Sequence, residues 1–431
     1  MVGGGLAGCE AALFLAERGH RVELMEMRPV RKTPAHQTDE LGELVCTNSF
    51  KSEDPGNAHG QLKREMRALG SLLLRVATEA RVPAGSALAV DRRLFARGMT
   101  AAVSSHPGVR VIREEATGLP DPPAIVATGP LTSHALSGAI QARLGDEGLA
   151  FFDAIAPIVH RDSLNEAVVF AAGRFGEDSD YLNCPMDSRE YDAFLEALTT
   201  ADVHQGHDFD AVPYFEGCLP VEVMASRGRD TLRFGPMKPI GLEDPRTGGR
   251  PHAVVQLRRE DRQGQMWNLV GFQTRLRIGE QGKVFRMIPG LEEAEFLRWG
   301  SIHRNSYLNF PGRLTPWGSP GEEPEVLFAG QLTGVEGYTE SAASGLLAAL
   351  NLNRLLGGRE PTLPPATTML GGLYRYLREA DPRHFQPMNS NWGLVDPLPR
   401  RIRDKRKRRE ALAARAEAEL EAWMEGEEGL R

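Results

Sequence analysis

No stretch of this chain reaches the roughly 18 consecutive apolar residues that a membrane-crossing helix needs. Its start carries neither the basic segment nor the cleavage site of a secretory leader, so a cytoplasmic location is expected. Cysteine is scarce. The four residues, Cys9, Cys46, Cys184 and Cys218, form no CxxC pair and no Cys/His metal spacing. That argues against a structural zinc site and, in a reducing compartment, against structural disulfides. No metal is expected, and each cysteine must be read singly. Repeats and low-complexity segments are missing too. The net charge of −7 speaks against a nucleic-acid surface spread over the whole molecule.

What is present belongs to an ordinary globular protein, with 41% hydrophobic and 25% charged residues. At 431 residues the chain is too long for one core, so two domains or one with a large insertion are expected. It opens on "MVGGGLAGCEAALFLAERGHRVELMEMRP". Gly3, Gly5 and Gly8 give G-x-G-x-x-G, followed by an alanine-rich helix ending near Gly19 and a strand carrying Glu26 near its end. Glycine permits a tight turn and close approach to a pyrophosphate, a helix N-terminus faces the phosphates, and the acid accepts from a ribose hydroxyl. These are the parts of a dinucleotide-binding βαβ unit. Only Met1 and Val2 precede Gly3, whereas a central parallel strand runs about 5 residues, so a shortened first strand is expected.

Two later segments narrow the cofactor. "PAIVATGPLTS" (123–133) reads as a buried strand running into Thr128 and Gly129. "EVLFAGQLTGVEGYTESAASGLLAALNLNRLL" (325–356) reads as a strand, a glycine turn and a helix. They resemble the second and third nucleotide-contacting segments of glutathione-reductase-like FAD proteins, with Gln331 where many members have Asp. The expected fold is α/β, an FAD-binding Rossmann domain of that type assembled from residues 1–150 and 301–398. An α+β domain is inserted at 151–300, and 399–431 form a basic C-terminal helix. The expected cofactor contacts are Gly3, Gly5, Gly8, Glu26, Arg28, Thr128, Gly129, Gly330, Gln331 and Tyr338.

Within the middle region, strand-like and loop-like pieces alternate ("AFFDAIAPIV", "TLRFGPMKPIGL", "HAVVQLRRED", "MWNLVGFQTRL"), and "SREYDAFLEAL" reads as a helix capped by Asp187 or Ser188. Cys9, on the first helix, and Cys184, in "LNCPM", read as small buried hydrophobes. Cys46, in "ELVCTNSF", and Cys218, in "YFEGCLPVEV", stand instead among polar or glycine-bearing loop residues. Arg227, Arg229, Arg233 and Lys238 follow Cys218, and neighbouring cations favour a thiolate. The acidic average also hides a local cluster: "RRIRDKRKRR" (400–409) holds eight Lys/Arg and one Asp. Such a patch can grip phosphates.

Taken together, "ELVCTNSFKS", "VPAGSALAVDR", "ATGPLTS", "YFEGCLPVEVMASRG", "FGPMKPIGL", "VGFQTRL", "IPGLEEAEFLRWGSIHRN", "FAGQLTGVEGYTESAASG" and "FQPMNSNWG" resemble the folate- and FAD-dependent tRNA (uracil-5-)-methyltransferases of bacteria, the TrmFO family, from Gly3 to about Asn391. The resemblance implies transfer of a methylene from 5,10-methylenetetrahydrofolate to C5 of a T-loop uridine of tRNA (position 54). Reduced FAD supplies the electrons and NAD(P)H reloads it. Such chemistry needs a thiolate to add at uracil C6 and a base or second thiol to take the C5 proton. Carried over by position, Cys218 is the expected nucleophile and Cys46 the acid/base or flavin-side partner, with exchange of the roles left open. Tyr338 is expected to stack on the flavin or the pterin, and Arg400, Arg401, Lys405, Arg406, Lys407 and Arg408 to meet the T-arm. No protein partner is implied. Two other classes compete: an FAD oxidoreductase with a Cys46/Cys218 redox pair, and a non-catalytic RNA-binding flavoprotein.

Overall fold

The computed structural model describes residues 1–33, 35–145, 149–176, 179–204, 219–321 and 323–427, and only the backbone of 149–155 and 302–306. Val2 sits at the centre of a parallel sheet. It bridges Met25 on one side and Val126 on the other, its N–H donating to Ile125 O at 2.9 Å while the Gly3 N–H donates to Met25 O at 2.8 Å. Beyond it, Val22–Met25 pairs with Val109–Ile112, and Ala124–Val126 pairs with Val326–Phe328, both in parallel. The central strand is therefore the expected stub, one bridging residue long. The helix Leu6–Ala16 has every residue buried, as an all-round apolar helix must. It packs on the long helix Tyr338–Leu356, and the backbones come so close that a Cβ on Gly345 would lie 2.2 Å from Ala7 O.

Burying the first helix traps Glu10. One carboxylate oxygen accepts the Leu73 N–H at 2.8 Å and the other has no hydrogen-bond partner. Burial pushes its carboxyl up to about 7. A carboxyl raised in the folded state binds its proton more tightly there than in the unfolded chain. Its contribution is thus most favourable below the ordinary value of 4.5 and is lost as pH rises toward 7. Glu10→Gln, whose amide oxygen can take over the Leu73 bond, is expected to gain melting temperature relative to the parent between pH 5 and pH 8. An equal difference at both pH values in thermal melts would contradict this.

At the middle of the chain, Leu149–Ile155 and Ser301–Tyr307 run antiparallel as a two-stranded ribbon. Between them lies a six-stranded antiparallel sheet in the order 296–298, 158–160, 266–269, 253–259, 181–186, 170–171. It has its own core, in which Tyr191, Phe194 and Leu198 of the helix Ser188–Thr200 meet Cys184, Val255, Phe272 and Phe285. That helix opens with a capping box: the Asp187 side chain accepts the Glu190 N–H and the Glu190 side chain accepts the Asp187 N–H. "TLRFGPMKPIGL" supplies no strand. Thr231–Phe234 is one helical turn, after which Gly235, Pro236, Pro239 and Gly241 break any ladder.

The last helix, Lys405–Gly426, starts where the Asp404 side chain accepts the Lys407 N–H at 2.8 Å. Leu412, Ala416, Leu420 and Trp423 face inward on one stripe. Trp423 Nε1 donates to Thr362 Oγ1 at 3.1 Å, and Arg64 pairs with Glu417. Among the described residues no helix is long and apolar enough to cross a membrane.

Candidate active site

The ends of the parallel strands open into a cleft. All the residues expected to contact a dinucleotide line it except Gly8. Gly8 lies one layer beneath: a Cβ there would be 1.8 Å from Gly3 O, so the first helix can follow the Gly3 turn only without a side chain at this position. A Cβ on Gly5 or Gly129 would meet nothing within 4 Å. The helices starting at Leu6 and Tyr338 both bring their first turns to the cleft, and neither N-cap glycine, Gly5 or Gly337, provides a side-chain cap. Their free N–H groups and dipoles favour an anion.

Glu26 lies on the cleft wall at the end of its strand. Its carboxylate accepts Gly4 N–H at 2.9 Å and both the N–H and Nε of Arg28, at 3.0 and 2.8 Å. Burial alone would raise this carboxyl, but the Arg28 and Gly4 bonds outweigh it and hold it below its ordinary value. An ionised carboxylate has about four acceptor positions, so room remains for a ribose hydroxyl. Arg28 also donates to Glu43 at 3.1 Å, and Glu43 gathers the N–H groups of Gln37 and Thr38. One acid thereby ties residues 37–43 to the cleft's rim. Gln331 faces the cleft and donates to Glu336 at 2.7 Å. The glycine cradle, two uncapped helix ends and an ionised acid with spare acceptor capacity fit a pyrophosphate-bearing dinucleotide.

Val45 and Tyr338 line this cleft, and Cys46, next after Val45, is bonded to Tyr338. The Tyr338 hydroxyl donates to its Sγ at 3.2 Å and accepts the N–H groups of Cys46 and Thr47 at 2.8 and 3.2 Å. Burial pushes the Tyr338 phenol well above its ordinary value, so it stays a protonated donor. Its ring lies 5.8 Å from that of Phe50. Three arginines from other elements close on the same loop. Arg92, opening the helix Arg92–Ser104, donates to Leu44 O and Cys46 O at 2.9 and 3.1 Å. Arg298 donates to Val45 O at 2.6 Å, and Arg258 reaches Thr47 Oγ1 at 2.7 Å and Asn48 Oδ1 at 3.0 Å. Cys46 therefore lies on a rigid loop, in a field of positive charge, beside a hydroxyl donor. That suits a thiol that exchanges protons or stabilises charge.

Cys218 lies outside the described residues. Two of the cations that follow it are already engaged: Arg229 pairs with Asp192 and Arg233 with Asp230. Cys9 and Cys184 are fully buried, and burial pushes both thiols up, as packing residues. Arg400, Arg401, Lys405, Arg406, Lys407 and Arg408 are exposed and line no part of the cleft.

Sequence reasoning passed over Arg92, Arg258, Glu260 and Arg298. For Arg258 and Glu260, charges inside the apolar run "AVVQLRRE" were the available signal. Glu260 is 1% exposed and holds Arg92 through Nε at 2.5 Å. Glu260→Ala is expected to cost about 3–5 kcal/mol, because it strands a mostly buried guanidinium. Denaturant unfolding measures this, and adding Arg92→Met should recover most of the loss. A cost below about 1 kcal/mol would show the pair to be a surface-type bridge.

The comparisons with known proteins agree with this architecture. The family model described as "Glucose inhibited division protein A" matches residues 1–360. GidA of Aquifex aeolicus superposes with a TM-score of 0.64 over 99% of this chain and 77% of its own at 15% identity, a likeness of fold. The methylenetetrahydrofolate–tRNA-(uracil-5-)-methyltransferase TrmFO of Geobacter sulfurreducens is 53% identical over 427 residues, 98% of each chain. Its counterpart in Moorella thermoacetica is 54% identical, over 98% of this chain and 97% of its own. The chain belongs to the TrmFO family of tRNA methyltransferases.

Proposed function

We propose that this enzyme methylates C5 of a T-loop uridine in tRNA, with 5,10-methylenetetrahydrofolate as carbon donor, FAD as bound cofactor and NAD(P)H as the source of electrons. The observation that carries the reading is the bond between Cys46 and Tyr338, a residue that lines the glycine-rich cleft, in a chain more than half identical to enzymes of that name. Gly3, Gly5, Thr128, Gly129 and Gly330 would cradle the FAD pyrophosphate and Glu26 its ribose. When bound, the flavin supplies the reducing electrons that turn a transferred methylene into a methyl.

The protein's own groups do the rest. A target base in a folded loop must be turned out of its stack to reach the cleft. The Cys218 thiolate adds at C6, making C5 nucleophilic; the C–N bond to the folate breaks as the carbon passes to C5, Cys46 removes the C5 proton, and Cys218 is expelled as a thiolate when its C6–S bond breaks to restore the ring. The Tyr338 hydroxyl holds the Cys46 sulfur in place during this exchange. Cys218→Ala is expected to abolish the covalent complex with a 5-fluorouridine T-arm RNA, visible as a shifted band on a denaturing gel. An undiminished adduct would move the nucleophile to Cys46. The decisive experiment is incubation with unmodified tRNA, methylenetetrahydrofolate and NADPH, followed by nucleoside analysis for 5-methyluridine. Flavin oxidation without 5-methyluridine would favour an oxidoreductase with a cysteine pair.

A further inference from the structure

A second groove opens between the start of the helix Ala58–Ala68, the 390–393 loop and the first turns of the last helix. Its walls include Asn57, His59, Ser390, Trp392, Arg408 and Arg409. Ser390 is 3% exposed, yet its hydroxyl has no hydrogen-bond partner. A buried hydroxyl left unpaired costs roughly 1–3 kcal/mol, so it marks a place where an outside group belongs. The groove is not merely an open helix end, since the Asn57 side chain already accepts the His59 N–H at 3.0 Å. Nor is it soft: Trp392 Nε1 donates to Gly56 O at 3.0 Å, and Glu340 accepts the Ser390 N–H at 3.0 Å while lying 3.2 Å from His59 Nδ1. Both guanidinium groups at its mouth are exposed, whereas the neighbouring Arg406 is taken up by Glu410 at 2.9 Å.

We infer that this groove binds a backbone phosphodiester of the RNA substrate, with Arg408 and Arg409 pairing the anionic oxygens and the Ser390 hydroxyl donating to one of them. Planar guanidinium forks match phosphate geometry. The basic run continues outside the groove through residues 400–409, where eight of ten side chains are Lys or Arg. That extent suits a polyanion rather than one small anion. The inference rests on the proposed tRNA substrate and adds where its backbone is gripped. Because Glu340 touches both Ser390 and His59 and lies two residues after Tyr338, the grip is joined directly to the helix end that positions Cys46.

The test measures binding of a fluorescent T-arm hairpin to the full-length holoenzyme by anisotropy across a salt series. Arg408→Gln with Arg409→Gln is expected to weaken binding at least tenfold near 0.1 M salt and to flatten the slope of log affinity against log salt by about one to two. Ser390→Ala is expected to weaken binding about three- to tenfold with the slope unchanged and the melting temperature retained. A general electrostatic attraction would not register the serine, so unchanged affinity in Ser390→Ala overturns the groove, as does an unchanged slope in the arginine variant. A rise in the NADPH KM of these variants with RNA affinity intact would assign the phosphate to the nicotinamide cofactor and also overturn it. If the unsubstituted enzyme itself fails to bind the hairpin, the tRNA reading falls with it.

Discussion

Cys46→Ala is expected to lower 5-methyluridine formation by about 10²–10⁴-fold, the range spanned by loss of a positioned acid or base, while cofactor content and melting temperature stay near those of the parent. The reason lies in how the loop is held. Arg92 grips the carbonyls of Leu44 and Cys46, Arg298 grips that of Val45, and the Tyr338 oxygen takes the N–H groups of Cys46 and Thr47. All of these bonds fall on backbone atoms, so deleting Sγ removes chemistry and leaves the loop's scaffold, at the loss of one bond, the weak Tyr338 O–H···Sγ contact. The 5-fluorouridine adduct should persist in this variant and vanish in Cys218→Ala. The reverse pattern would exchange the two roles. Unimpaired methylation by Cys46→Ala would remove the residue from the mechanism altogether.

Gly8→Ala carries the second large effect. Its Cβ would stand 1.8 Å from Gly3 O, and the clash is with backbone on both sides, so no side-chain rotation relieves it. The first helix must move off the Gly3 turn and off the Gly345 contact. Overpacking of this kind costs about 1–3 kcal/mol. The displaced helix end also loses at least two charge-assisted bonds to a bound pyrophosphate, at about 1.5 kcal/mol each, which predicts a fall in cofactor affinity of about 10²-fold. Visible-range absorbance of the purified protein and a melting curve check both. Gly138→Ala is the control: it lies in the helix His134–Leu144 with nothing within 4 Å of its added methyl, and it should retain cofactor and melt no lower than the parent. Equal cofactor content in Gly8→Ala and Gly138→Ala would refute the cradle.

These two residues were not equally legible. Gly8 belongs to a local pattern: turn, buried helix, strand and acid follow one another within 26 residues. Each is set by neighbours a few positions away, so periodicity and glycine spacing reveal them. The cap of the helix Ser188–Thr200, read as Asp187 or Ser188 and found at Asp187, was readable on the same grounds. Cys46 was legible only as a cysteine among polar neighbours. Its hydroxyl partner is 292 residues away, and Arg258 and Arg298 reach its loop across 211 and 253 residues. No local rule links such positions.

The amino-acid order by itself determined the βαβ unit, the stunted central strand and the family, because those depend on short-range backbone preference and on long matching strings. Tertiary structure alone decided that Cys46 would sit under a buried phenol and three guanidinium groups, and that Ser390 would be left with an unpaired hydroxyl beside Arg408. Burial and charge at a point in space are sums over whatever chain segments converge there. That convergence exists only once the strands have paired and the helices have closed on them.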